Sequence, residues 1–172
     1  MSQSISLLIY FPRRDLRLSD NPILHDLAAS HSHGFTHFLP VYVLPAHQME
    51  LSGLLVEGKE NPYPPARSRV GNYWRCGPHR ARFICEAVWN LKDSFESIGS
   101  GLTIFAGTLE DVLKSLCKSF EEKNVKIGAV WMTSHEGVEE KRDEKAVRHL
   151  CETNGFDFKL WVDEKYFIDE QV

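Results

Sequence analysis

The sequence predicts a doubly wound α/β domain: a Rossmann-like, five-stranded parallel sheet in three layers, α/β/α. Three observations lead there. Five short apolar runs are nearly continuous rather than alternating, the pattern of strands covered on both faces. Between them lie segments whose apolar residues recur with the helical period. At 172 residues the chain has the length of one domain able to bury a sizeable core. Strand–helix alternation on this scale requires right-handed crossovers, which place helices on both sheet faces.

The elements follow in order. Ser6–Phe11 is a first strand: no basic region precedes it and Pro12-Arg13-Arg14 ends it, unlike a signal peptide. Asn21-Pro22 opens a helix with Pro in the first turn and Ile23, Leu24, Leu27 and Ala28 on one face. Phe38–Leu44 is the second strand. Pro45 to Arg75 fits neither period and holds Pro45, Pro62, Pro64, Pro65, Gly53, Gly58 and Gly71. A connection of that length is expected to be functional, partly helical near Met49–Val56, or mobile. A long helix is expected from Pro78 to Ile98, with Ile84, Ala87, Val88, Leu91, Phe95 and Ile98 inward and Gly99 as its stop. After the strand Leu102–Ala106, Thr108-Leu109-Glu110-Asp111 resembles a capping box. It starts a helix to about Lys123 that buries Leu109, Val112, Leu113, Leu116, Cys117 and Phe120. Ile127–Met132 is the fourth strand. The last helix runs from Val138 to Thr153, with Val138, Val147, Leu150 and Cys151 inward and Glu139–Lys145 as its solvated face. Phe156–Val162 is the fifth strand.

Composition excludes several classes. Hydrophobic residues at 42% and charged residues at 26% are unlike disordered or collagenous chains. No apolar run reaches the ~18 residues of a membrane span, so a soluble intracellular protein without a membrane partner is expected. The net charge of -4 gives no global attraction to nucleic acid. Residues 1–100 carry 10 basic and 9 acidic side chains, and residues 101–172 carry 10 and 15. Between Asn61 and Cys85 there is no acid, but there are five arginines. The cysteines Cys76, Cys85, Cys117 and Cys151 form no CxxC pair and are expected to be reduced.

The chemistry-bearing motifs are few. The loop after the first strand holds no glycine, which speaks against a dinucleotide GxGxxG site, and no GxxxxGK[ST] or GxSxG occurs. His31, His33 and His37 lie in a polar loop and are not expected to bind metal. No metal site and no catalytic residue is expected. Arg13, Arg14 and Arg17 with Asp15 and Asp20 form either a self-paired surface cluster or a docking surface for another domain or partner, since guanidinium forks suit carboxylates. Arg67, Arg69 and Arg75, interleaved with Tyr63, Tyr73 and Trp74, suit single-stranded DNA or RNA, or a loop that packs on another domain.

Phe11 with Arg13-Arg14-Asp15-Leu16-Arg17-Leu18-Ser19-Asp20-Asn21-Pro22 resembles the FRxDLRxxDNxxL signature of the photolyase/cryptochrome family. Arg75 to Phe83, continuing through Leu91 to Ile98-Gly99-Ser100, resembles the TGPxRAxFLLESVxDLxxxLxxxGSDLxxxxG block of DASH-type cryptochromes, and Leu102, Ile104 and Gly107 extend the match. Cys76, Cys85 and Trp89 depart from that block. The resemblance covers essentially the whole chain. It implies an N-terminal antenna domain over residues 1–165 and the start of an interdomain linker over 166–172. It implies that FAD, the electron-transfer tryptophans and the groove for damaged DNA belong to a helical domain outside this sequence, the natural partner of this one. It also implies a methenyltetrahydrofolate antenna held between the two domains. Glu136 is the matching antenna carboxylate and Glu139 the second candidate, because a carboxylate accepts paired hydrogen bonds from a pterin. Glu136 equally suits a first-turn acid favoured by the helix dipole. The implied whole-protein activity is FAD- and light-dependent repair of cyclobutane pyrimidine dimers, or blue-light signalling, with this domain not catalytic by itself. An exposed apolar patch is expected where the flavin domain would dock. The alternatives are a truncated stand-alone module that binds protein or single-stranded nucleic acid without photochemistry, and a small nucleotide binder, which the missing Gly-rich loops disfavour.

Overall fold

The structure, a computed structural model, describes residues 5–30, 33–54 and 57–162. Five parallel strands form one sheet: β1 (Ser6–Phe11), β2 (His37–Pro45), β3 (Thr103–Gly107), β4 (Lys126–Thr133) and β5 (Asp157–Trp161). Their order is β3-β2-β1-β4-β5. Four helices cover it: α1 (Pro22–Ala29), α2 (Pro78–Ser97), α3 (Leu109–Glu122) and α4 (Val138–Asn154). The chain builds outward from β1 to β3, then returns to lay β4 on the other side of β1. The strand order therefore reverses between β1 and β4, the place where such sheets leave a crevice at their carboxyl edge.

Both faces of the central strands are buried, as their continuous apolar runs predict. In β1, Ile9 and Phe11 point to the layer of α3 and α4, among Val41, Val130, Leu113 and Val147. Leu8 and Tyr10 point the other way, with Ile23 of α1 and Trp131 of β4. Alongside them, Tyr42 and Leu44 of β2 meet Val88, Leu91 and Phe95 of α2. Each such side chain contributes ~1.5–3 kcal/mol relative to exposure. The caps are local. The Asn21 side-chain oxygen accepts from Ile23 and Leu24 backbone N–H groups, and its amide donates to the Tyr10 hydroxyl at 3.0 Å. Thr108 caps α3 through the Asp111 N–H, and left-handed Gly155 ends α4.

Strand limits differ from the sequence expectation by a residue at several ends. Of the helical piece expected near Met49–Val56, the described residues form a single 3-10 turn, Ser52–Leu54, while Met49 and Leu51 anchor the connection by packing under α2. His31 and the linker expected at 166–172 lie outside the described residues. The larger correction is in α4. Val138, expected inside, is 70% exposed because it is the first helical residue. Glu140 and Glu144, expected in solvent, are buried. They share a stripe with Val147 and Cys151 at helical spacing, so the first half of the inner face is acidic.

Candidate functional site

The acidic stripe exists because arginines from the loop after β1 meet it. The Arg13 side chain is 8% exposed. Its guanidinium donates to Glu144 at 3.0 Å, to the Thr133 carbonyl at 3.4 Å and to the Glu140 carbonyl at 3.3 Å, with Asp143 at 3.7 Å. Glu144 in turn accepts the His135 backbone N–H at 2.8 Å. Arg14 pairs with the Glu140 carboxylate. Burial alone would raise Glu140, but its own backbone N–H and the charges of Arg14 and Arg13 outweigh that and hold it below the ordinary carboxylate value. Asp143 is shifted the other way: burial raises it, against the opposing pull of His47 and Arg13. These pairs tie the loops that follow β1 and β4 to α4 across the switch point.

Next to them, β2 and β3 end at Pro45 and Gly107 under a cavity of about 300 Å³. Tyr42, Val43, Phe83, Ile84 and Ala87 form an apolar wall, and Arg14, Gln48 and Arg80 stand at its polar side. Burial, reinforced by Cys85 and opposed by Arg80, pushes Tyr42 up to about 12, so its hydroxyl keeps its proton. Gly107 sits at φ 145, and a Cβ there would lie 2.6 Å from the Tyr63 hydroxyl, so only glycine fits under that ring. A second, more open cleft of about 790 Å³ shares His47, Thr108 and Asp143 with the first. Arg67, Arg69, Arg75 and Arg142 line it.

The candidate residues from the sequence divide as follows. Arg13 and Asp15 are buried within the domain, Asp15 against Arg17 at 2.8 Å, so Arg14 and Arg17 are the solvent-facing part of the motif. Within the loop Arg17 pairs with Asp15, whereas Arg13 and Arg14 reach α4. Glu136 is 86% exposed and, among the described residues, accepts only from Lys141 at 3.2 Å. Glu139 is half-buried on the wall of the basic cleft, with one oxygen 2.5 Å from Arg75 and the other 3.5 Å from His47 Nε2. Residues 66–75 form a small hairpin: Arg67 bridges Trp74, and Ser68 and Arg75 N–H groups donate to Tyr73 and Ala66 carbonyls. Arg67 stacks 3.7 Å over Trp74 and donates to the Asn72 carbonyl. Among the described residues Arg69 and Arg142 pair with no acid. His47 and Arg142 carry no motif in the sequence, and Arg80 stands out there only as one of the five arginines between Asn61 and Cys85. The one available signal was topological, since His47 follows β2 and all three flank the carboxyl edge.

Residues 8–168 match the family model for DNA photolyase. The chain belongs to the DNA photolyase family. A cryptochrome DASH from Gibberella zeae is 56% identical over 96% of this chain, and one from Neurospora crassa, named as mitochondrial, is 55% identical over 96%. The chain spans about a quarter of those relatives, 24% and 22%. Among solved structures, the Synechocystis cryptochrome superposes with a TM-score of 0.71 at 20% identity, covering 94% of this chain and 28% of that one. A photolyase from Sulfolobus tokodaii, solved with two FAD molecules and described as implying a novel light-harvesting cofactor, gives 0.62 at 23% identity, covering 91% and 29%. These likenesses establish a photolyase-type α/β domain related to cryptochrome DASH. Among the described residues no helix is long and apolar enough to cross a membrane.

Proposed function

We propose that this chain is the antenna domain of a DASH-type cryptochrome or photolyase: it binds a light-harvesting chromophore and docks on an FAD-binding helical domain, and it is not catalytic alone. The observation that carries this is the apolar cavity at the carboxyl edge of the sheet, adjoined by the half-buried carboxylate of Glu139. Methenyltetrahydrofolate fits that chemistry. Tyr42, Phe83 and Ile84 offer apolar contact to a flat ring. Arg75 and His47 each engage one Glu139 oxygen, which leaves lone pairs for the paired N–H groups of a pterin. Glu136 is the weaker candidate, because an exposed carboxylate stays hydrated until another surface covers it. A bound folate supplies near-ultraviolet absorbance and passes excitation to a flavin. In the parent protein that flavin would serve repair of cyclobutane pyrimidine dimers or blue-light signalling, in an intracellular, soluble setting. Arg14 and Arg17 are the part of the motif left to face the flavin domain.

The test is titration of the chain with methenyltetrahydrofolate, read as a near-ultraviolet band that co-elutes with protein. Glu139→Gln replaces one acceptor oxygen with a donor and is expected to weaken binding about tenfold or more, the scale of a charged hydrogen bond. Glu136→Gln is expected to do less. Absence of folate uptake at saturation by a folded chain would sink the antenna role. A second use of the Arg67, Arg69 and Arg75 segment, single-stranded nucleic acid, draws support from the exposed rings of Tyr73 and Trp74 in the same hairpin.

A further inference from the structure

The basic cleft beside the cavity has more cationic character than contact with a flat ring would need. Four guanidiniums line it, and two acids, Glu139 and Asp143, share its wall. Arg75 and His47 engage Glu139, and Arg13 faces Asp143. Arg67 meets no acid among the described residues: it donates to the Asn72 carbonyl and stacks on the Trp74 face. Arg69 and Arg142 come from separate elements, the 66–75 hairpin and α4, and meet no acid among the described residues. Uncompensated cations in a cleft of about 790 Å³ concentrate anions, and guanidinium forks pair bidentately with phosphate and carboxylate alike. The cleft is also continuous with the apolar cavity through His47 and Thr108.

We infer that Arg69 and Arg142, supported by Arg67, form an anion site for the tail of the ligand whose ring occupies the cavity. The ligand class is a flat heteroaromatic carrying two or more negative charges, as a phosphate or as γ-linked carboxylates. This rests on the chromophore role proposed above. The apolar wall holds the ring, and the arginines select for its tail.

The experiment uses the chain as it stands and two pairs of probes: riboflavin against flavin mononucleotide, and methenyltetrahydrofolate with one against three glutamates. Affinities are measured at one low salt concentration for the natural sequence and for Arg69→Gln/Arg142→Gln. Both positions are exposed, and circular dichroism and the melting midpoint check the variant's fold. In at least one pair the more anionic member is expected to bind about tenfold tighter, and this gap is expected to fall below about twofold in the variant. Riboflavin, which has no anionic tail, should bind both proteins equally. The pair that shows the gap distinguishes phosphate from carboxylate. Ring binding without a gap, or a gap that survives in the variant, overturns the anion site and leaves the chromophore role standing. No binding of any ring overturns both. Salt-sensitive binding of oligothymidylate that needs the two arginines, with no gap in either pair, overturns the anion site in favour of nucleic acid.

Discussion

Arg13 shows how far one side chain can be from its appearance in sequence. In a run with Arg14, Asp15 and Arg17 it looks like half of a surface cluster. In the structure it is buried and joins the end of β4 to α4 through Glu144, the Thr133 carbonyl and the Glu140 carbonyl. Sequence proximity favoured the Asp15 pair, and only Arg17 takes it. The true partner lies 131 residues away, so no local pattern announces it. Removing one member of a buried pair leaves the other charge uncompensated, which costs about 3–5 kcal/mol. Arg13→Met is therefore expected to lower stability by about that amount in urea unfolding, and Arg13→Met/Glu144→Met to recover a large part of it. A single-variant loss of less than about 1 kcal/mol would show the pair to be of surface strength. The same lesson applies to Glu136 and Glu139. Both follow β4, but only the helical turn decides which reaches the cleft wall.

At the scale of elements, the strands and helices were legible because burial on both faces leaves continuous apolar runs, and caps such as Asn21 and Thr108 act over a few residues. α4 was legible in extent but not in orientation. Its inward stripe is Glu140, Glu144, Val147 and Cys151, and a rule that assigns charge to solvent rotates the helix wrongly. Gly137 belongs to this device. A Cβ there would lie 1.9 Å from the Glu140 carboxylate, which is held in place by Arg14. The stripe also sets a pH dependence with two opposite signs. Glu140 titrates below its ordinary 4.5, so its contribution is present above 4.5 and lost as pH falls through the folded-state value. Asp143 titrates above its ordinary 3.8, so its ionisation costs stability as pH rises through the folded-state value. Glu140→Gln is expected to destabilise at neutral pH and to converge with the natural chain in acid. Asp143→Asn is expected to stabilise at neutral pH and lose that advantage below 3.8. Urea midpoints across the acid range check both, and parallel curves for either variant would contradict the assigned shift.

At the scale of the whole molecule, the sheet order was within reach of sequence, because right-handed crossovers and one reversal leave few alternatives. The surface was less so. Phe83 of α2 and Val138 of α4 are both 70% exposed and line the cavity and the cleft respectively. Trp74 and Tyr73 of the hairpin add exposed aromatic surface where the arginines line the same cleft. Apolar residues thus gather around the carboxyl edge of the sheet, as a contact face requires. If they serve contact rather than folding, Phe83→Ser and Val138→Ser should change unfolding free energy by no more than about 0.5 kcal/mol each, the range for surface positions. The double variant should bind less of a hydrophobic dye than the natural chain. The core substitution Phe95→Ala, from the buried face of α2, should instead cost about 3–5 kcal/mol. The contrast separates the two roles of α2 in one experiment: Phe95 holds the domain together, whereas Phe83 is free for another surface. If Phe83→Ser costs as much as Phe95→Ala, Phe83 is part of the core and the contact face is disproved.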